Sequence, residues 1–389
     1  MKFFLEIIII CSLFFGPSIC AGLGWSKYGE DDSLYRTIHP TFYFLLLYAI
    51  ITYNKFVTNK FYFRSTVLIL LIFSFVRLFF DQYIVGRFLG NLFVPLLFGF
   101  FMQELSTNEK SFKICTKIFL ALFVVEVVLA IMERFGNFLL FPYSLYNPDD
   151  INGTVDEGDY FRSNSLLGNP LSNALCVSIV LSFIVVSRLK NTKKVLLILV
   201  SFLSLLCFNA RFASVISLVF FVFYFFLQKI SLKKLISIVI GGGIVAYLII
   251  NFGIGDRVLG EDNYAEDDSV AARIDIIEII DYVDFEMFLF RKGDGILDLQ
   301  NKLSLVHVEN WILIMVFDLG ILITLYYILL IFQLTSISLK SYQLKDKLYI
   351  FAVFILIASS NNSLATQVPA LSFFIASSYF FRSKEKEIL

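Results

Sequence analysis

Long apolar runs alternate with short polar connections from one end of the chain to the other. The runs are about 20 residues long, which is the length a helix needs to cross the hydrocarbon core of a bilayer. The pattern therefore predicts an all-α polytopic membrane protein with about twelve transmembrane helices. The predicted spans are 3–21, 38–57, 63–80, 83–102, 114–135, 165–187, 193–208, 210–228, 234–251, 310–333, 347–363 and 366–381.

The connections between these spans differ in charge on the two sides of the predicted membrane. Lysines and arginines cluster in alternate connections and in the C-terminal tail, at Lys55–Arg64, Lys110–Lys117, Arg188–Lys194, Lys229–Lys234, Lys340–Lys347 and Arg382–Lys386. Cationic loops favour the cytoplasmic side of a membrane. Because all the clusters fall on the same side, we expect a multi-pass protein with its C-terminus in the cytoplasm.

Two long loops fall on the opposite side, at residues 136–164 and 252–309. The second is the largest polar segment and carries more Asp and Glu than Lys and Arg. We see no separable soluble domain, so we treat 1–389 as a single integral membrane domain with 252–309 as a large extracytoplasmic loop. Residues 1–21 could instead be a cleaved signal peptide, but Glu6 and Pro17 fit a signal peptide poorly and we favour their retention.

Composition supports the membrane interpretation and narrows the chemistry. Apolar residues make up 58% of the chain and charged residues 16%, which is too little charge to keep a soluble protein of this length in solution. The 32 basic and 32 acidic residues balance, and we expect no nucleic-acid partner. The five cysteines lie in or beside apolar runs, and the two histidines are far apart, so we expect neither a disulfide framework nor a metal or other cofactor.

Charged residues in or at the edges of the predicted spans are costly, so each needs a reason. They are Arg77, Arg87, Glu126, Glu133, Arg134, Arg211 and Asp318. Several of the arginines lie toward the outer face, where Arg162, Arg273 and Arg291 of the outer loops join them. Arginine suits forked hydrogen bonding to phosphate. As a group they indicate an anionic ligand such as a lipid-linked diphosphate, although salt bridges to the acidic loops explain any single arginine equally well.

Three segments form an ordered pattern: "RSNSLLGNPLSNA" from Arg162, "CFNARFASVISL" from Cys207 and "ENWILIMVFDLGILITLYY" from Glu309. In this order they resemble segments of the O-antigen ligase and polymerase superfamily of membrane glycosyltransferases. Arg211 matches the arginine of the second family segment, and Asn310, Asp318 and Gly320 match the asparagine, acidic residue and glycine of the third. The resemblance covers roughly residues 120–335 and implies a GT-C-like fold.

One departure separates this chain from the ligases, whose third segment has a histidine directly before the asparagine. Here Glu309 occupies that position, and His307 lies two residues earlier. The acidic residue is more like the repeat-unit polymerases of the Wzy type. The resemblance therefore favours a polymerase over a ligase.

The resemblance implies a bacterial plasma-membrane enzyme that joins undecaprenyl-diphosphate-linked oligosaccharide repeat units into a surface polysaccharide. Its partners would be the lipid-linked oligosaccharide, the bilayer and a membrane protein that regulates chain length. Glu309, assisted by His307, would take the proton of the attacking hydroxyl. Arg211, Arg162 and Arg273, with Asn310 and Asp318, would bind the substrate, since arginines can stabilise a leaving diphosphate without a metal.

Each residue of the third segment also has a simpler interpretation. His307 could pack at the start of a helix, Glu309 could favour a helix N-terminus by its charge, and Asn310 could cap the helix. Asp318 could pair with an arginine of a neighbouring span. Two other functions stay open: an O-antigen ligase, and a flippase or other transporter of lipid-linked oligosaccharides, which would need arginines along the whole path across the membrane.

Overall fold

The computed structural model describes most of the membrane part of the chain and little of the large polar loop. The described residues are 1–25, 38–79, 82–141, 161–226, 243, 279–283, 285–288, 295–303, 308, 310–365 and 369–382. Every regular element among them is helical, in agreement with the all-α prediction. The predicted span 234–251 and most of the loop 252–309 lie outside the described residues.

The helices follow the apolar runs, but several of the predicted spans are interrupted and the helix ends differ from the predicted ones by a few residues. They are α1 (Lys2–Ser12), α2 (Pro17–Gly22), α3 (Pro40–Ile51), α4 (Tyr53–Thr58), α5 (Lys60–Phe79), α6 (Gln82–Phe88), a π-helical turn (Leu89–Phe93), α7 (Val94–Leu105), α8 (Glu109–Gly136), α9 (Pro170–Val186), α10 (Asn191–Cys207), α11 (Arg211–Phe226), a 3-10 turn (Phe285–Phe288), α12 (Ile296–Leu303), α13 (Trp311–Leu319), α14 (Ile321–Ser338), α15 (Leu344–Ser359) and α16 (Ala370–Phe380).

Within the described part, three continuous helical stretches are long and apolar enough to cross a membrane. They are Ile84–Leu105, Glu109–Gly136 and Ile321–Ser338. The first is the central helix of the bundle, since 89% of its most apolar 18-residue stretch is buried inside the protein. The corresponding share is 39% for each of the other two. The structure thus agrees with an α-helical membrane protein, while the number of twelve spans stays a prediction.

The predicted span 310–333 is two helices rather than one. Gly320 separates α13 from α14 with φ 90° and ψ 163°. This combination is accessible almost only to glycine, because any Cβ would clash with the backbone. The chain therefore changes direction at Gly320, directly after the buried carboxylate of Asp318.

The central helix carries a local widening between α6 and α7. The Val94 N–H donates to the carbonyl of Leu89, five residues earlier, instead of the usual four. Pro95 gives a reason for this π turn, because it has no N–H to donate and its ring would collide with the carbonyl four residues before it. The extra residue in this turn rotates the side chains of α6 about the helix axis relative to those of α7.

Contacts between distant segments define two ends of the bundle. At one end, Gly16, the loop after α8 and the start of α9 meet, and we call this the loop end. At the other, Lys55 forms an ion pair with Glu104 at 2.6 Å, and the Tyr224 hydroxyl donates to Asp346 at 2.6 Å. We call this the lysine end, because the helix ends there belong to the connections in which lysines cluster.

Candidate functional site

The first motif segment begins as a buried loop, residues 161–169, which we call the re-entrant segment. Glu133 of α8 holds it in place. One carboxylate oxygen of Glu133 accepts the Asn164 N–H at 2.8 Å and the Ser165 N–H at 2.9 Å, and the other accepts the Leu140 N–H at 3.0 Å. A carboxylate can accept several such bonds at once, so it satisfies backbone groups that have no helical partner.

A second carboxylate on α8 holds the same segment two helical turns deeper. Glu126 accepts the Leu166 N–H at 3.0 Å, and the hydroxyl of Ser165 donates to the Glu126 carbonyl at 2.7 Å. The other Glu126 carboxylate oxygen is buried and accepts no hydrogen bond from any of the described residues. Non-helical backbone survives at membrane depth only where protein or water satisfies it, and here two glutamates supply the acceptors.

The re-entrant segment also fits closely against the start of the chain. The Gly16 N–H donates to the Leu166 carbonyl at 3.1 Å. A Cβ on Gly16 would lie only 2.2 Å from that carbonyl oxygen, so only glycine permits the approach. At its far end the segment turns into α9, where Asn169 caps the helix by accepting the N–H groups of Leu171 and Ser172.

Three partly exposed arginines belong to chain segments that contact one another at the loop end. Arg134, near the end of α8, donates to the Phe161 carbonyl at 3.3 Å, and Arg162 is the next residue. The Ser163 N–H donates to the Cys207 carbonyl at 3.2 Å, at the end of α10. Arg211 follows four residues later, at the start of α11. Arg162 and Arg211, two of the predicted substrate-binding residues, thus come from motif segments that are in direct contact.

The third motif segment includes α13 and the first turns of α14, and the structure gives its Asn310 and Asp318 contacts within the protein. The Asn310 side chain caps α13 by accepting the N–H groups of Ile312 and Leu313 at 3.0 and 3.1 Å. Asp318 is buried and forms an ion pair with Arg87, and it also accepts the Ile296 N–H at 3.1 Å. The substrate-binding role of both residues stays a prediction.

A turn between α15 and α16 connects the third segment with the first. The Tyr327 hydroxyl donates to the Leu364 carbonyl at 2.9 Å, and the neighbouring Ser363 hydroxyl lies 3.4 Å from that of Ser172 on α9. All three motif segments are therefore joined through short contacts on one side of the bundle.

The other predicted site residues cannot be placed. Glu309, His307 and Arg273 lie outside the described residues, so the structure does not test the proposed catalytic pair or the third arginine. Within the described part of the chain, no group of three or more His, Cys, Asp or Glu side chains could hold a metal ion.

Sequence reasoning flagged Arg87, Glu126 and Glu133 as charges in the membrane but gave them no role. The two glutamates are seven residues apart, which places them on one face of α8. This spacing indicates that both contact the same neighbouring segment, which is the re-entrant segment. The alternative that Asp318 pairs with an arginine of another span is confirmed, but the sequence does not indicate that this arginine is Arg87, which is 231 residues away.

The comparisons with known proteins leave the family assignment open: no family model matches this chain, and no curated protein matches it.

Proposed function

We propose that this chain is a membrane glycosyltransferase that polymerises lipid-linked oligosaccharide repeat units into a surface polysaccharide. The observation that carries the proposal is that the chain segments of Arg134, Arg162 and Arg211 contact one another at the loop end of an apolar bundle. Arginines at the edge of a bilayer suit the diphosphate of a carrier lipid, because their forked donors bind phosphate oxygens while the lipid tail remains between helices.

The proposed reaction needs a base and a group that stabilises the departing diphosphate. The acceptor hydroxyl would attack the anomeric carbon of the donor sugar while the bond from that carbon to the diphosphate breaks. Glu309 would take the hydroxyl proton, with His307 orienting the acceptor, and the arginines would stabilise the charge on the diphosphate. The acidic residue at position 309, where the ligases have a histidine, favours polymerase over ligase.

The first test is deletion of the gene in the host bacterium, followed by gel analysis of its surface polysaccharide. Loss of the ladder with one repeat unit still attached supports a polymerase. Loss of all attached glycan would favour the ligase alternative instead, and an unchanged ladder would contradict both.

The second test asks whether Arg211 binds the diphosphate through its fork. In the complemented deletion strain, we expect Arg211→Lys to lower polymer yield about 10- to 100-fold, because it keeps the charge and loses the bidentate geometry. Arg188→Lys, an exposed arginine outside the motif segments, is the matched control and should leave polymer unchanged. Near-normal polymer from Arg211→Lys, at equal amounts of inserted protein, would rule out a bidentate role.

The third test concerns the predicted base. Glu309→Gln keeps the shape of the side chain and removes its ability to take a proton, so polymer yield should fall about 100- to 10,000-fold. His307→Gln should be harmful but less so. If His307→Gln abolishes polymer and Glu309→Gln does not, the two roles are exchanged, and if both are tolerated the site lies elsewhere.

A further inference from the structure

A small cavity lies between the central helix, the start of α3, α14 and α16. Its volume is about 20 Å³, and it is not fully enclosed. The π turn supplies Asn91 to its wall, and the first turn of α16 supplies Ser372. His39 also lines it and lies 2.8 Å from the carbonyl of Phe15, the residue before Gly16, so the cavity is at the loop end. A water molecule needs about 10–15 Å³, so this volume suits one water or one hydroxyl group.

Two polar side chains of the wall are deeply buried and have no partner for one of their polar atoms. Asn91 is 3% exposed and Ser372 is 0% exposed. The amide nitrogen of Asn91 and the hydroxyl of Ser372 find no hydrogen-bond partner among the described residues. Buried polar groups are normally satisfied, because leaving one without a partner is costly. Since both line one cavity with room for a single oxygen atom, a ligand oxygen there would serve them together.

Two other polar side chains of the wall use their hydrogen-bonding groups within the protein. The Phe15 carbonyl can only accept, so the Nε2 atom of His39 carries a proton, and the Nδ1 atom of His39 accepts the Thr41 N–H at 3.3 Å. His39 is therefore held as a neutral imidazole. The Tyr327 hydroxyl donates to the Leu364 carbonyl at 2.9 Å.

The chemistry of the wall selects a neutral hydroxyl group. The described residues that line the cavity include no Lys, Arg, Asp or Glu, so an ion would be buried there without an opposite charge. An amide N–H can only donate, whereas a serine hydroxyl can donate and accept. A ligand hydroxyl matches both, because its oxygen can accept from Asn91 while its proton is donated to Ser372. The cavity thus differs from the arginines of the loop end, which suit an anion.

The third motif segment contributes to the same cavity. Tyr327, its last residue, lines the wall, and Trp311 packs edge-on against the Tyr327 ring, with 5.8 Å between the ring centroids. We propose that this cavity is a binding site for one neutral hydroxyl group, held by Asn91 and Ser372. Two sources carry that chemistry. One is a sugar of the lipid-linked oligosaccharide, which rests on the proposed function, and the other is a bound water molecule, which does not.

The first experiment is a structure of the purified full-length protein at a resolution that shows ordered water. One map is recorded without ligand. A second is recorded with the free repeat-unit oligosaccharide, released from its carrier lipid and therefore without diphosphate. We expect a peak about 2.7–3.2 Å from both the Asn91 amide nitrogen and the Ser372 hydroxyl in at least one map. The lack of such a peak in both maps overturns the proposal.

Variants then test whether the two side chains hold the hydroxyl group. Asn91→Leu keeps roughly the size of the side chain and removes its polar atoms, and Ser372→Ala removes only a hydroxyl. Each should abolish the peak, and if one variant does not fold the other still provides the test. If a sugar supplies the hydroxyl, each should also raise the Kd for the oligosaccharide about 2- to 10-fold, as expected for one neutral hydrogen bond. Titration calorimetry measures this Kd.

Ser377→Ala is the matched control on the same helix. Ser377 is as buried as Ser372, and its hydroxyl also has no partner among the described residues, but it is not one of the residues that line the cavity. This variant should change neither the peak nor the Kd. A peak that persists in both cavity variants overturns the role of Asn91 and Ser372.

The two maps and the titration also separate the two sources. A peak that the oligosaccharide does not change, with the same Kd in every variant, identifies a water molecule. Density continuous with a sugar, with the Kd raised only in the cavity variants, identifies the oligosaccharide. If deletion of the gene leaves the surface polysaccharide unchanged, the proposed function fails, and the ligand-free map still decides whether the cavity binds a hydroxyl group.

Discussion

Inside this apolar bundle, single carboxylates accept hydrogen bonds from backbone N–H groups that lie outside regular helices or at the start of one. Glu126 and Glu133 accept N–H groups of the re-entrant segment, and Asp318 accepts the first N–H of α12. In water such groups would find other partners, but inside a membrane an unsatisfied N–H costs several kcal/mol. The acidic residues of the spans are therefore explained by backbone geometry before any catalytic role is assigned to them.

Glu133 provides a direct test at this scale. Glu133→Gln leaves one acceptor oxygen, which can serve the Asn164 and Ser165 N–H groups, and puts an NH2 group opposite the Leu140 N–H, so a donor would face a backbone donor. We expect the free energy of unfolding to fall by about 1–3 kcal/mol, measured by thermal denaturation in detergent. The control is Glu109→Gln, whose side chain is 76% exposed beside Lys113 and should cost less than about 1 kcal/mol. Equal losses in the two variants would contradict the holding role.

At the scale of elements, the main departures from simple spanning helices occur at glycine and proline. Gly320 divides one predicted span, Pro95 accompanies the π turn in another, and Gly16 and Pro17 separate α1 from α2. Each interruption lies beside a buried polar contact or a close approach. The interruptions therefore allow specific contacts between helices and loops, and they are part of the folded structure.

Gly16 and Gly22 form a matched pair for testing the close approach. Gly16→Ala would place a Cβ 2.2 Å from the Leu166 carbonyl oxygen, and this backbone atom cannot rotate away. We expect a loss of about 1–3 kcal/mol in unfolding free energy and weaker protection of the re-entrant segment in hydrogen exchange. A Cβ on Gly22 meets nothing within 4 Å, so Gly22→Ala should be close to neutral. A harmless Gly16→Ala would show that the contact is not tight.

The apolar pattern predicted most of the helices, because burial in lipid needs only length and hydrophobicity. It missed the breaks, since a hydropathy window averages over a single glycine such as Gly320. It also placed 165–169 inside a span, which is wrong because these residues form the end of the re-entrant segment. Apolar residues in this segment are buried in protein without being helical, and hydropathy does not distinguish the two cases. The pairing of Arg87 with Asp318 depends on contacts between distant segments, which one sequence does not contain.

At the scale of the whole molecule, many large apolar side chains lie exposed on the outside of the bundle. Helix α11 exposes several large apolar side chains along its length, among them Val215, Leu218, Val219, Val222 and Phe223. In water a patch of this kind would cause aggregation, but it suits contact with lipid tails. With three helices able to span a bilayer, the described part of the chain has the surface that a membrane protein needs.

The predicted orientation is tested by reporter fusions. Because the lysine clusters fall on the side of the C-terminal tail, a fusion at Lys384 should report the cytoplasm, and one at Asp268, in the loop 252–309, should report the outside. Phosphatase activity and green fluorescence, which require opposite sides of the membrane, should therefore give opposite signals at the two sites. The same signal at both would invalidate the predicted span list.

The arrangement of α8 and the re-entrant segment also has a consequence for biogenesis. The ribosome makes Glu126 and Glu133 before it makes Asn164, Ser165 and Leu166, so α8 reaches the translocon before these partners do. A charged side chain at the centre of a nascent helix costs about 2.5–3.5 kcal/mol on the insertion scale, and Glu126 lies nearer the centre of α8 than Glu133, which is three residues from its end. The strong apolar character of the rest of α8 must offset that cost, or the helix must wait beside the translocon until the later segment arrives.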